Sequence, residues 1–200
     1  MRAHPNFPKN GVLKANAIRL NELRRQIKYA WARRHESDEK WQAWHESCRL
    51  YYESYDALAF PGGLERALSL LRKGDPTGIE MAVRYLEDDP WYYRSGYLKG
   101  EMIQRLRQFP LGKDQRLRLQ KVVITRIQDH RTPREFRWYC RLAAHLADKD
   151  FEQEIAVLTE SRYHNHALHA RWVLARIKQA FQMKFSQERK PKMKIIKPIS

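Results

Sequence analysis

The chain has 200 residues, with 39 Lys and Arg against 23 Asp and Glu, and its formal net charge is +16. This length is typical of one domain that folds without disulfides or a structural metal. The charge favours an anionic partner such as nucleic acid, a membrane surface or an acidic protein. No apolar run reaches the roughly 18 residues that a spanning helix needs, so no membrane span is expected. Cys48 and Cys140 form no CxxC motif, which favours a reducing compartment. We predict a cytoplasmic protein, or a nuclear one in a eukaryote.

Helical periodicity is the main local signal along the chain. Residues 1–11 contain two prolines and an Asn-Gly pair, which predicts an irregular N-terminal arm. Apolar residues at spacings of three and four predict a long N-terminal helix from about 12 to 34. Ser37 is the expected cap of a second helix that ends near residue 58. A short third helix, over 64–73, should end at Gly74.

Capping signals predict where the later helices begin. A capping box, or a capping residue followed by proline, marks a helix start because it satisfies orphan backbone N–H groups. The predicted starts are Thr77 with Glu80, Asp89 with Pro90, Asp114, Thr132 with Pro133, and Asp150. A last helix carries apolar positions from Ala167 to Phe181. Residues 186–200 are predicted to be a basic mobile tail.

The starts of alternate helices recur at nearly constant intervals of 36 to 40 residues, at Ser37, Thr77, Asp114 and Asp150. Such a period is typical of stacked helical hairpins. The predicted pairs occupy residues 37–73, 77–108, 114–147 and 150–183. They would form a single all-helical domain over 12–185. No segment shows the alternation of a β-strand, so the predicted class is all-α.

An apolar residue followed by arginine occurs early in three of the predicted helices, as Tyr93-Arg94, Phe136-Arg137 and Ala170-Arg171. With the stretch from His169 to Ile177, these pairs resemble the second helices of HEAT and armadillo repeats. The resemblance covers about residues 77–183. It implies a right-handed α-α superhelix of about four hairpins, preceded by the long N-terminal helix. It also implies that such arginines form an internal polar ladder between repeats.

Positive charge is concentrated in residues 1–34, 91–133 and 161–200, whereas 35–90 and 134–160 carry a net negative charge. If the hairpins stack, the second helices share one surface and their basic residues align along it. A basic stripe of this kind is expected of a nucleic-acid-binding protein. The predicted anion-binding residues are Lys28, Arg33, Arg34, Arg94, Lys99, Arg137, Arg141, Arg171, Arg176, Arg189 and Lys190.

Aromatic residues are interleaved with these charges, in Trp91-Tyr92-Tyr93-Arg94 and in Arg137-Trp138-Tyr139-Cys140-Arg141. Exposed rings beside arginine could stack on bases. Alternatively, the rings belong to the core and the arginines form a solvated face. Helical spacing favours the core for each ring, because buried aromatics dominate helix packing.

Candidate catalytic and metal-binding groups are few. His164, His166 and His169 lack a matching Cys or acid, so we predict a solvated helix start rather than a metal site. In the acidic run 87–89, Asp89 is expected to cap the following helix rather than to bind Mg²⁺. No Walker motif, dinucleotide fingerprint or nucleophile elbow is present. No metal, cofactor or catalytic residue is therefore predicted.

These observations lead to one main hypothesis and two alternatives. The main hypothesis is a non-enzymatic, HEAT-like binding protein whose basic surface binds nucleic acid. The first alternative is an interaction scaffold for an acidic protein, which burial of the repeat arginines as a ladder would favour. The weaker alternative is an enzyme that acts on nucleic acid, which an open cleft lined by an exposed Trp and a carboxylate would favour. The oligomeric state is left open.

Overall fold

A computed structural model describes residues 11–129 and 134–188, the last five of them by backbone alone. These residues form nine α-helices and no strand, so the all-α prediction is confirmed. None of the described helices combines the length and apolar character needed to cross a membrane. The helices are α1 (Val12–Arg33), α2 (Asp38–Ala59), α3 (Leu64–Arg72), α4 (Pro76–Asp88), α5 (Ser95–Leu106), α6 (Lys113–Ile127), α7 (Phe136–Leu146), α8 (Lys149–Leu158) and α9 (His164–Glu188).

The helices contact both their neighbours and the helices two positions away. α3, α5, α7 and α9 contact one another in that order, and α4 contacts α6. α3 packs on α4, α6 on α7 and α8 on α9. α2 packs chiefly on α1, so its main partner is not the α3 helix of the predicted 37–73 pair. The right-handed superhelix, the HEAT-like class and the division of 12–185 into four repeats stay predictions.

Local signals position the first three helices as predicted. α1 and α2 begin at the expected residues, and the Ser37 hydroxyl accepts a hydrogen bond from the Lys40 N–H at 3.3 Å. α3 ends at Arg72, and Gly74 follows with φ of 70°. Glycine tolerates this left-handed conformation because it has no Cβ.

Two of the predicted caps are wrong by two residues. The cap of α4 is Asp75 rather than Thr77, and its carboxylate accepts a hydrogen bond from the Thr77 N–H at 2.8 Å. The cap of α8 is Asp148 rather than Asp150, and its carboxylate accepts from the Phe151 N–H at 2.9 Å. In each case an earlier Asp reaches the first-turn N–H groups, which places the predicted cap inside the helix.

The predicted helix start at Asp89 and Pro90 is also wrong. Asp89 ends α4 in the left-handed region, with φ of 47°, and α5 begins only at Ser95. The Asp89 carboxylate does not cap a helix because it pairs with two cations, the Lys99 ammonium at 2.7 Å and the Arg126 guanidinium. The matching prediction at Thr132 and Pro133 lies outside the described residues.

One cluster of buried apolar side chains runs from Leu13 in α1 to Ile177 in α9. Two histidines predicted to be solvated belong to this interior. His166 and His169 are buried, and His169 Nδ1 lies 3.1 Å from the Ile127 carbonyl oxygen. The His169 ring also packs on Phe136, with 4.4 Å between centroids. In the part of the chain that the structure describes, no group of three or more His, Cys, Asp or Glu is placed to hold a metal.

Candidate nucleic-acid interface

A cleft of about 990 Å³ opens between α1, the segment that precedes α5, and the start of α7. We call it the aromatic cleft because rings from two of these three elements line it. Its lining residues are Asn21, Arg24, Arg25, Lys28, Trp91, Tyr92, Tyr93, Arg94, Ser95, Gly96, Tyr97, Arg134, Glu135, Arg137 and Trp138.

Buried Tyr92 fixes the segment between α4 and α5. Its hydroxyl lies 2.8 Å from the Tyr85 hydroxyl, and its N–H donates to the Ser95 hydroxyl at 3.2 Å. Burial raises the pKa of Tyr92 above the usual range, so this phenol stays protonated. With Tyr92 buried, its neighbours Trp91 and Tyr93 remain 64% and 45% exposed. The segment thus presents two rings to the cleft.

Contacts with α1 hold the same segment from the other side. The Asn21 amide donates to the Trp91 carbonyl oxygen at 2.7 Å. The Arg24 guanidinium lies over the Tyr93 ring, 3.2 Å from its centroid, and that of Arg94 lies 5.4 Å from it. Arg94, and secondarily Arg24, lower the pKa of the Tyr93 phenol. Two cations therefore surround one exposed ring, where cation–π attraction orients them.

Arg94 has an unusual backbone conformation at the N-cap of α5. Its φ is 73°, in the left-handed region that non-glycine residues rarely adopt. Such strain costs about 1–3 kcal/mol and is often found at functional sites. Here it occurs at a residue whose side chain is exposed and lines the cleft.

Two glycines of α5 let α7 form the opposite wall. A Cβ at Gly100 would lie 2.6 Å from Nε1 of Trp138, and one at Gly96 would lie 2.9 Å from Oε2 of Glu135. Real Cβ atoms do not approach other atoms this closely. Because both positions are glycine, the indole and the carboxylate can rest against the surface of α5. This close approach sets the positions of Trp138 and Glu135 in the cleft.

The cleft is strongly cationic. Six of its lining residues are Lys or Arg, and Glu135 is the one carboxylate among them. None of these six cations forms an ion pair with a carboxylate in the described ranges; they are Arg24, Arg25, Lys28, Arg94, Arg134 and Arg137. Walls of low dielectric concentrate the field of such charges and attract anions.

The arginines between α4 and α6 are neutralised instead, and we call this set the α4–α6 ladder. Arg118 contacts Glu87 at 2.6 Å and Glu80 at 3.0 Å, and Arg126 contacts Asp89. The hydrogen bonds that Arg118 donates, to Glu87 first and also to Glu80, raise its pKa. The ladder thus performs the inter-helix role that the repeat resemblance implies for Arg94, Arg137 and Arg171. Those three arginines are exposed.

The predicted anion-binding residues fall into several places. Lys28, Arg94 and Arg137 line the aromatic cleft, whereas Arg141 and Arg176 line an adjoining cavity of about 550 Å³. Three others line neither cavity. Arg33 pairs with Glu36 at 3.1 Å, and the Arg34 guanidinium lies 3.2 Å from the Trp31 ring centroid. Arg171 donates a hydrogen bond to the Thr159 carbonyl oxygen at 3.4 Å. Arg189 and Lys190 lie outside the described residues.

Lys99 is the predicted residue that the structure removes from the surface. Its side chain is 2% exposed, and its ammonium lies 2.7 Å from the Asp89 carboxylate. A buried and paired ammonium cannot contact a macromolecular ligand. Lys99 therefore belongs to the structural ion pairs rather than to a binding surface.

Several cleft residues were not selected from the sequence. Arg24 and Arg25 lie on the same basic face of α1 as Lys28, so the signal that selected Lys28 could have found them. Tyr97, at 81% exposure, and Glu135 gave no distinguishing signal. The prediction that the rings belong to the core is correct for Tyr92 and Tyr139, which are buried, and wrong for the exposed Trp91 and Tyr93.

Comparisons with protein-family models, with curated proteins and with solved structures find no match to this chain. The function is therefore inferred from the cleft itself. Its two properties are exposed aromatic faces and cations that have no carboxylate partner among the described residues. Both properties occur on the same wall, because Trp91, Tyr93 and Arg94 are nearly consecutive.

Proposed function

We propose that this protein binds nucleic acid in the aromatic cleft, with unpaired bases on the exposed rings and phosphates on the arginines. The observation that carries the proposal is the presence of both kinds of group in one cavity. Trp91, Tyr93 and Tyr97 are exposed there, beside arginines that form no ion pair with a carboxylate in the part of the chain that the structure describes. Either property alone would fit many partners, but the two together match the chemistry of a nucleotide chain.

The cations account for affinity to a phosphate backbone. A guanidinium that contacts a phosphate makes charge-assisted hydrogen bonds and releases condensed counterions into the solvent. Arg24, Arg94 and Arg137 come from three different elements around the cleft. A strand crossing the cleft would therefore meet cations on successive sides. The expected consequence is an affinity that falls steeply with salt concentration.

The aromatic faces account for a preference for single strands. In a duplex the faces of the bases are stacked on one another, whereas an unpaired base can stack on a protein ring. Such stacking contributes about 1–3 kcal/mol per base. The exposed rings of Trp91 and Tyr97 are suited to it, and Trp138 forms a partly buried wall. We therefore expect single strands, or unpaired segments, to bind more tightly than duplexes.

The test is fluorescence anisotropy with labelled single- and double-stranded DNA and RNA at about 50–300 mM salt, where phosphate contacts are revealed. We expect sub-micromolar binding of single strands at the lowest salt. Trp91→Ala should weaken it by about 1–3 kcal/mol, since one stacking face is lost. Trp41→Ala is the matched control because Trp41 is also exposed, at 49%, and lies on α2 outside the cleft.

Other outcomes of these experiments would contradict base stacking or favour a different function. Equal losses for the two Trp variants would contradict base stacking in the cleft. Weak binding of every strand at the lowest salt would favour the alternative of a scaffold for an acidic protein.

The cleft also contains the exposed Trp91 and the Glu135 carboxylate, and an open cleft lined by these two kinds of residue is what would favour an enzyme acting on nucleic acid. A denaturing gel of the incubated strands tests this candidate, and shortened strands would support it.

A further inference from the structure

Three arginines on α5, α7 and α9, which contact one another in that order, lie beside the aromatic cleft. Arg107 follows the last residue of α5, Arg141 lies on α7, and Arg176 lies on α9. We call them the arginine triad. Arg107 and Arg141 line a cavity of about 380 Å³ with Gln104, Gln108 and Trp138. Arg141 also lines the 550 Å³ cavity that contains Arg176, so it belongs to both.

The charge of the triad is not compensated by any carboxylate that the structure describes. None of its members forms an ion pair with an acidic residue in the ranges that the structure describes, and neither cavity has an acidic lining residue. The Nε atoms of Arg107 and Arg176 are buried without a hydrogen-bond partner among the described residues. A buried donor without a partner is costly and calls for an explanation. A ligand that accepts hydrogen bonds is one such explanation.

The other contacts of the triad orient its members without neutralising them. The Arg176 guanidinium donates to the Gln179 side-chain oxygen at 2.6 Å. The Arg141 guanidinium lies over the Trp138 ring, 4.6 Å from its centroid. Burial first, and then the charges of Arg141 and Arg176, lower the pKa of Arg107. The three guanidinium groups therefore repel one another when no anion is present.

We propose that the arginine triad binds a phosphate monoester dianion, such as the terminal phosphate of a strand held in the aromatic cleft. Three monovalent cations suit a dianion better than the single charge of a backbone diester. A phosphate monoester is largely dianionic above its second pKa, near 6. Guanidinium groups bind its oxygens in bidentate geometry. The strand-terminal part rests on the proposed function, whereas the affinity for phosphate does not.

The first experiment is isothermal titration calorimetry of the full chain with inorganic phosphate at pH 7.5 in a chloride buffer. We expect Arg107→Gln, Arg141→Gln and Arg176→Gln each to weaken binding about tenfold or more, because each removes a charge-assisted contact. Lys121→Gln is the control, since Lys121 is exposed on α6 and lines neither cavity. No binding to the wild-type chain, or equal losses in the control, would overturn the proposal.

Thermal unfolding without phosphate separates binding from a structural role. Arg107→Gln removes a half-buried cation that its neighbours repel, so its Tm should equal or exceed that of the wild type. A lower Tm for Arg107→Gln would show that the arginine serves the fold, and it would overturn the assignment.

The second experiment compares one single-stranded oligonucleotide with a 5′-phosphate, with a 3′-phosphate and with neither. We expect one phosphorylated end to bind more tightly, and Arg141→Gln to abolish that gain. If inorganic phosphate binds but neither end matters, the strand-terminal part is overturned. If phosphate binds and no strand does, the proposed function fails while the triad stands. If strands bind and phosphate does not, the triad fails while the proposed function stands.

Discussion

The α4–α6 ladder and the aromatic cleft use the same residue type in opposite ways. In the ladder, Arg118 and Arg126 contact carboxylates and join two helices. In the cleft, Arg24 and Arg94 lie against the Tyr93 ring and have no carboxylate partner in the described ranges. In the described residues, the cleft arginines therefore carry positive charge that no ion pair compensates, whereas the ladder arginines do not. Arginine count alone does not distinguish the two regions, whereas the neighbours of each arginine do.

The two regions should also differ in what they contribute to stability. Removing one partner of a partly buried, hydrogen-bonded ion pair lowers the stability of the fold, because the other charge is left uncompensated. Cations that repel one another, and a strained backbone at Arg94, lower stability instead. Functional sites commonly show such costs. Substitutions in the ladder should therefore affect folding, and substitutions in the cleft should affect binding.

The largest expected effect is that of Asp89→Ala in the ladder. This change leaves the buried Lys99 ammonium and the Arg126 guanidinium without their shared carboxylate. We expect the free energy of unfolding, measured in urea, to fall by about 3–5 kcal/mol. Asp114→Ala is the control because the Asp114 side chain is 79% exposed, and it should cost less than about 1 kcal/mol. Similar losses for the two variants would contradict the distinction between buried and exposed pairs.

Arg118→Ala should have an intermediate effect that is confined to folding. It removes the contacts with Glu80 and Glu87 and should lower the free energy of unfolding by about 1–3 kcal/mol. Binding of single strands should be unchanged, because Arg118 does not line the cleft. Lys121→Ala, on the same helix, provides the charge-matched control. A reduced salt slope of binding for Arg118→Ala alone would show that the ladder contributes to the interface.

Arg94→Gly should have the smallest effect on stability, and the effect should be of opposite sign. Glycine relieves left-handed strain of about 1–2 kcal/mol and loses about 0.5–1 kcal/mol in chain entropy, so stability should rise by up to about 1.5 kcal/mol. Arg94→Ala is the matched variant that keeps the strain and loses the guanidinium. Both should reduce the salt slope of binding by about one unit. If the Gly variant were the less stable of the two, the strain would not be real.

Sequence reasoning succeeded at Ser37 and Gly74, where the deciding contacts are local, although it placed the equally local caps of α4 and α8 two residues too late. Ser37 caps α2 through its own first turn, and Gly74 ends α3 through its own backbone. It failed at Asp89 because the deciding partners are Lys99 and Arg126, which other helices bring to the carboxylate. A cap signal measures local preference, and these tertiary ion pairs override it.

The cleft shows the same limit at the level of single rings. Trp91, Tyr92 and Tyr93 are consecutive, and the sequence does not indicate which of them is buried. The Tyr85 hydroxyl and the approach of Asn21 in α1 determine this, and both depend on the assembled fold. Similarly, Lys99 and Lys28 look alike in sequence, although one is buried and the other lines the cleft.

The close approach of α7 to Gly96 and Gly100 also bears on how the protein can diverge in evolution. A side chain at Gly100 would displace the rigid indole of Trp138, whereas one at Gly96 would meet only the end of the flexible Glu135 side chain, so Gly100 above all should resist change longer than the surrounding surface. Two glycines four residues apart, with a tryptophan 38 residues after the second, form a sequence pattern that the packing of α7 on α5 requires. Distant relatives that preserve the cleft should be recognisable by it, even where the remainder of the chain has changed beyond alignment.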